Sequence, residues 1–126
     1  MKNVQDQLAL KLAAILGFAA IAIGAFGAHA LKLEGPAVDW FKTATLYHMF
    51  TTVLVLFLSL HKCRKALYTA LAGVLIFSGC LYAMAMGAPR FLGAIVPIGG
   101  VLMLISWLIL FFSGKSSDKE QGAGEA

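Results

Sequence analysis

Four side chains are suited to chemistry by type and place: His29, Tyr47, His48 and Tyr82. His48 stands inside a long apolar run with Tyr47 beside it, His29 closes another such run, and Tyr82 lies in a third. An imidazole can shuttle a proton, ligate a metal or serve as an axial haem ligand. An ionisable group within an apolar span is by default a functional candidate. The plainer role is a hydrogen bond from each histidine to a neighbouring helix. With only these two histidines, no carboxylate in the apolar runs and no ligand spacing, the plainer role is favoured. No metal centre and no resident cofactor is expected. His61, beside Lys62, reads as a solvated residue.

The six acidic residues are Asp6, Glu34, Asp39, Asp118, Glu120 and Glu125, and all fall outside the apolar runs. A carboxylate within the membrane is the usual handle for proton-coupled transport, so a small multidrug-type exporter is disfavoured. The chain has no glycine-rich phosphate loop, H-E-x-x-H pair or serine nucleophile elbow. Ser78 and Ser106 have no base within the same turn. An enzyme is therefore not expected. Cys63 and Cys80 lack zinc or redox spacing and read as reduced and structural. The net charge of +4 does not signal nucleic acid, because the ten basic residues mostly flank the apolar runs rather than share one polar face.

These residues must be positioned by membrane helices. The chain has 126 residues, 60% of them hydrophobic and 13% charged, where soluble domains carry about 25% charged residues. Four apolar runs cover 8–28, 41–60, 67–86 and 91–112. Each has roughly 20 residues, which at about 1.5 Å per residue crosses a hydrocarbon core of about 30 Å. The expected fold is an all-α membrane bundle of four transmembrane helices, one domain over 1–112, followed by a disordered cytoplasmic tail over 113–126. Pro36 suits the start of a short interfacial helix before the second span, with Trp40 as a belt residue.

Lysine and arginine counts set the expected orientation. Lys2, Lys11, Lys62, Arg64, Lys65, Lys115 and Lys119 fall on one side, and Lys32, Lys42 and Arg90 on the other. That asymmetry places both termini in the cytoplasm. Ala28-His29-Ala30 also forms an A-x-A pattern like a signal-peptide cleavage site. The preceding apolar stretch exceeds the usual signal core of about 7–15 residues, so an uncleaved first helix is expected.

This topology draws His29, Tyr47, His48 and Tyr82 toward the outer half of the membrane, among small residues. Gly17, Gly24 and Gly27 lie along one face of the first helix, and Gly79 belongs to a similar face on the third. Such faces let helix backbones approach closely, and one of them could pair subunits into a homo-oligomer. Pro97 with Gly99-Gly100 is expected to kink the fourth helix and seat it on its neighbours. Two functional classes stay open. One is a non-enzymatic plasma-membrane protein, a scaffold or a small permeation unit. The other is an outer-half histidine and tyrosine site that takes a metal, haem or small ligand for electron or proton transfer.

Several segments carry a resemblance: Gly24-Ala25-Phe26-Gly27-Ala28-His29-Ala30-Leu31-Lys32, Thr43-Ala44 with Tyr47-His48-Met49, Phe77-Ser78-Gly79 with Leu81-Tyr82, and Pro97-Ile98-Gly99-Gly100 with Trp107. In this order they resemble the domain-of-unknown-function 423 family of small bacterial inner-membrane proteins, similar also to the eukaryotic transmembrane protein 256 group. The resemblance spans about Leu8 to Phe112. It implies four transmembrane helices and a plasma-membrane location, and no established activity. The family often has histidine at the position of Thr51, serine at Cys80 and glycine at Ser106. Thr51 thus removes one member of any histidine cluster.

Overall fold

A computed structural model describes residues 4–125. Among these residues four α-helices follow in order: α1 (Val4–His29), α2 (Pro36–Leu60), α3 (Arg64–Ala85) and α4 (Val96–Glu125), with a 3-10 turn at Arg90–Ala94 before the last. Val4–Gly27, Pro36–Leu60, Arg64–Ala85 and Arg90–Ser113 are long and apolar enough to cross a membrane. The protein is an all-α four-helix membrane bundle. A helix satisfies its own backbone groups, which lipid cannot do.

Sequence neighbours pack together: α1 on α2, α2 on α3, and α3 on α4. Leu16, Val55, Leu58, Leu67, Val74 and Met103 belong to the buried apolar cluster. Most of that cluster comes from the first half of α1, the second half of α2 and the first half of α3, toward the end of the bundle that holds the N-terminus. Thr45, Ser78 and Tyr82 lie toward the other end of α2 and α3.

α3 and α4 meet backbone to backbone. A Cβ added to Gly99 would stand 2.5 Å from the Phe77 nitrogen and 2.7 Å from the Gly73 carbonyl oxygen. One added to Gly73 would stand 2.8 Å from the Met103 nitrogen. Backbone meets backbone here, as van der Waals association in lipid requires.

Polar clamps close both ends. Asp6 is 7% exposed and lies 3.6 Å from Arg64 and 3.9 Å from Lys62, and Arg64 also hydrogen-bonds Gln5. These contacts tie the start of α1 to the α2–α3 connection. At the opposite end the Arg90 guanidinium lies 5.6 Å above the Trp40 ring.

Several boundaries differ from the sequence expectation. The segment from Pro36 is not a separate interfacial helix: it forms the opening turns of α2, with Pro36 in the first turn, where its missing N–H leaves no intrahelical bond unmade. Pro97 does not kink α4, because the helix begins at Val96 and Pro97 occupies its first turn. Asp6 belongs to the first turn of α1, since that helix starts at Val4 rather than near Leu8. α4 continues as helix to Glu125, although its apolar part ends at Ser113. Gly87 ends α3 at φ 108° while Ala88 N–H donates to the Ala83 carbonyl. Lys62 ends α2 in the same way at φ 58°, with Cys63 N–H donating to the Leu58 carbonyl.

A candidate ligand site at His48

His48 lies at the centre of α2, twelve residues from each end of Pro36–Leu60. It is 5% exposed. Its Nδ1 lies 3.0 Å from the Tyr82 hydroxyl oxygen. α2 and α3 run antiparallel, and the pairs Ala44 with Ser78 and Tyr47 with Phe77 fix their register. By that register Tyr82 is about seven residues, roughly 10 Å of rise, above the level of His48. Helical side chains lean toward their own N-terminus, so His48 and Tyr82 lean toward each other and close that gap.

A polar seam surrounds the pair. The Tyr82 hydroxyl reaches Thr45 Oγ1 at 3.5 Å, and Thr45 Oγ1 donates to the Phe41 carbonyl at 2.9 Å. Ser78 Oγ donates across the seam to the Ala44 carbonyl at 2.8 Å. The phenol edge packs on the Phe41 ring at 5.5 Å between centroids. Whichever way the phenol hydrogen points, Nδ1 is satisfied. The other ring nitrogen, Nε2, is buried with no hydrogen-bond partner among the described residues. The Leu16 carbonyl of α1 faces the imidazole but completes no hydrogen bond to Nε2.

A crevice of about 260 Å³ lies beside the ring. Ile15, Leu16, Ala19 and Ile23 of α1 form one wall, Leu75 and Gly79 of α3 the other, and His48 also lines it. The crevice exists because α1 packs on α2 while α3 stays apart from it. Gly79 borders open space: a Cβ there would meet nothing within 4 Å.

The family model described as "Protein of unknown function (DUF423)" matches residues 23–100, more than half of the chain. The chain belongs to the DUF423 family. Its relatives include the "UPF0382 membrane protein" of Haemophilus influenzae, 40% identical over 116 residues, or 86% of this chain and 94% of that protein. The "UPF0382 inner membrane protein YgdD" of Escherichia coli is 36% identical over 111 residues, covering 80% of this chain and 84% of its own. A "UPF0382 membrane protein" of Staphylococcus epidermidis is 38% identical over 107 residues, covering 79% and 88%. No solved structure matches. This DUF423 member is a multi-pass inner-membrane protein of unknown activity. The family match contains His29, Tyr47, His48 and Tyr82, the seam around them and the Gly73–Gly99 contact.

The structure brings His48 and Tyr82 together and leaves Tyr47 and His29 elsewhere. Tyr47 lies on another face of α2, 4.9 Å between centroids from Phe77, in a second crevice with Pro97, Gly100 and Trp107. His29 is exposed at the end of α1. A Cβ at Gly17 would meet Thr52 at 3.3 Å and one at Gly24 would meet Thr45 at 3.6 Å, which sets His48 level with residue 21 of α1. His29 is therefore about 12 Å higher along the axis. Metal–nitrogen bonds are only about 2 Å long, so one ion cannot take both imidazoles in this arrangement. No group of three or more His, Cys, Asp or Glu suited to a metal lies together among the described residues.

The small residues divide as well. Gly99 meets α3 backbone, a Cβ at Gly100 would stand 3.7 Å from the Phe77 ring, and one at Gly27 would run into the Phe41 ring. Gly73, absent from the sequence expectation, is as tightly packed as Gly99. Ser78 and Thr45 were also missed as seam residues. A signal existed: Ala44 with His48, and Ser78 with Tyr82, are i,i+4 pairs that share a helix face. Thr51, where the resemblance leads one to expect histidine, is buried and donates to Met103 Sδ at 3.4 Å. It helps join α2 to α4 rather than enlarging the His48 site.

Proposed function

We propose that this protein is a non-enzymatic membrane bundle that holds a small, largely apolar molecule in the crevice between α1 and α3, with His48 Nε2 as its polar contact. The observation that carries this reading is the buried, unpaired Nε2 beside an open apolar crevice. A buried polar atom without a partner costs about 1–3 kcal/mol. Such atoms are few in native proteins and ask for a cause. A ligand group that pairs with Nε2 supplies one.

The surroundings favour binding over catalysis. The Ser78 hydroxyl is committed to the Ala44 carbonyl, and the Tyr82 hydroxyl lies within the seam. Electron transfer through a metal or haem held by both histidines is disfavoured by their separation along the bundle. A permeation role gains nothing from a crevice walled by isoleucine, leucine and alanine. Both termini are placed in the cytoplasm in this reading, because Lys62, Arg64 and Lys65 lie at the N-terminal end of the bundle. The test is whether purified protein carries a small molecule that is lost when His48 is removed or the crevice is filled at Gly79.

A further inference from the structure

The N-terminal end of the bundle holds a cavity of about 590 Å³ with two unlike walls. One wall is the α2–α3 connection, His61 through Lys65, carrying Lys62, Arg64 and Lys65. The other is a stripe of α4 made by Ile105, Leu108, Ile109 and Phe112. We propose that this cavity binds an anionic phospholipid, with its phosphodiester against the lysines and an acyl chain along α4.

Charge and apolar surface coincide here in the way a phospholipid requires. Asp6 lies 3.6 Å from Arg64 and 3.9 Å from Lys62, too long for tight charge-assisted bonds. The Lys62 side chain remains 73% exposed. The Lys65 side chain is exposed and forms no ion pair among the described residues. The connection thus keeps positive charge after its contact with Asp6. α3 begins at Arg64 with no side-chain cap on its first turn, so the helix dipole adds to the same potential. On the other wall Leu108 is 56% and Phe112 57% exposed. From 105 to 112 the stripe runs for about 10 Å, enough to lie along the first part of an acyl chain. Basic cavities between membrane helices at the bilayer surface are suited to anionic headgroups. An ion without a tail would leave the apolar wall unused, and a zwitterionic lipid would bring its own cation to the lysines.

The test uses the full chain in mild detergent, with native mass spectrometry reading retained lipid. The probes are phosphatidylglycerol and phosphatidylcholine of identical acyl chains, and glycerol phosphate alone. Wild type should retain phosphatidylglycerol in preference to phosphatidylcholine. Lys65→Gln should weaken that retention roughly 5-fold, and Lys62→Gln with Lys65→Gln roughly 30-fold. Lys32→Gln, the same charge change at the other end, should leave it unchanged. Leu108→Asp should weaken it without altering the elution volume. Equal retention of the two lipids would overturn the proposal, as would equal effects of Lys32→Gln and Lys65→Gln. Full competition by glycerol phosphate would also overturn it, by assigning the cavity to soluble phosphates.

Discussion

His48 Nδ1 and the Tyr82 hydroxyl oxygen lie 3.0 Å apart across the α2–α3 seam, with His48 buried at the centre of its helix. This contact satisfies one imidazole nitrogen and leaves the other, Nε2, buried without a hydrogen-bond partner among the described residues, on a residue that borders the α1–α3 crevice. The pair should therefore act as a unit. Hydrogen bonds within membrane bundles contribute about 0.6 kcal/mol on average and up to about 1.7. A double-mutant cycle of His48→Ala and Tyr82→Phe, read by unfolding in mixed micelles, should give a coupling energy in that range. A coupling indistinguishable from zero would mean that the two groups do not pair in the folded protein.

Gly99 and Gly79 should respond oppositely to the same added methyl group. At Gly99 it would meet the Phe77 nitrogen at 2.5 Å, and backbone cannot yield as a side-chain tip can. Gly99→Ala should lose about 1–3 kcal/mol through forced separation of α3 and α4. Gly79→Ala meets open space and should be neutral or stabilising by up to about 1 kcal/mol, through helix propensity. Thermal melts in one detergent compare the two directly. Equal midpoints would show that α3 and α4 are not in backbone contact at Gly99.

Lys62 closes α2 at φ 58°, a conformation that favours glycine. Lys62→Gly should be neutral or stabilising by up to about 1 kcal/mol. The lost contact with Asp6 is a 3.9 Å pair with Lys62 largely exposed, which contributes little. A marked loss of stability in the same melts would mean that the Asp6 contact outweighs the backbone strain.

The placement of the ends can be checked with single cysteines in a background lacking Cys63 and Cys80. Residues 34 and 88 lie at one end of the bundle and residue 65 at the other. In intact cells an impermeant maleimide should label Glu34→Cys and Ala88→Cys and leave Lys65→Cys unlabelled. Labelling confined to Lys65→Cys would invert the bundle and place the basic cavity outside.

The four helices were legible in the sequence because each apolar run has the length that a bilayer demands. The ends were less legible. Apolar content marks where lipid begins, while Pro36, Pro97 and Asp6 mark where a helix begins, and these points lie several residues apart. The site was visible as His48 and Tyr82 but not as a pair, since their contact depends on the register of α2 against α3. The outer-half grouping with His29 followed from topology alone, which gives the end of a helix but not height along it. Gly73 escaped notice because its partners, Gly99 and Met103, lie on another helix. Gly79 resembled a packing residue, and only the separation of α1 from α3 leaves open space beside it.

The most direct test of the ligand site is mass spectrometry of the small molecules that leave the protein on denaturation. Wild type, His48→Ala and Gly79→Leu would be purified identically and matched by elution volume. Wild type should release a molecule with an apolar body and a polar group, beyond bulk lipid and detergent. Both variants should release little of it, one for want of the imidazole and the other because leucine fills the crevice. Absence of such a molecule from wild type, or equal amounts from all three proteins, would contradict the account and leave Nε2 without a ligand to explain it.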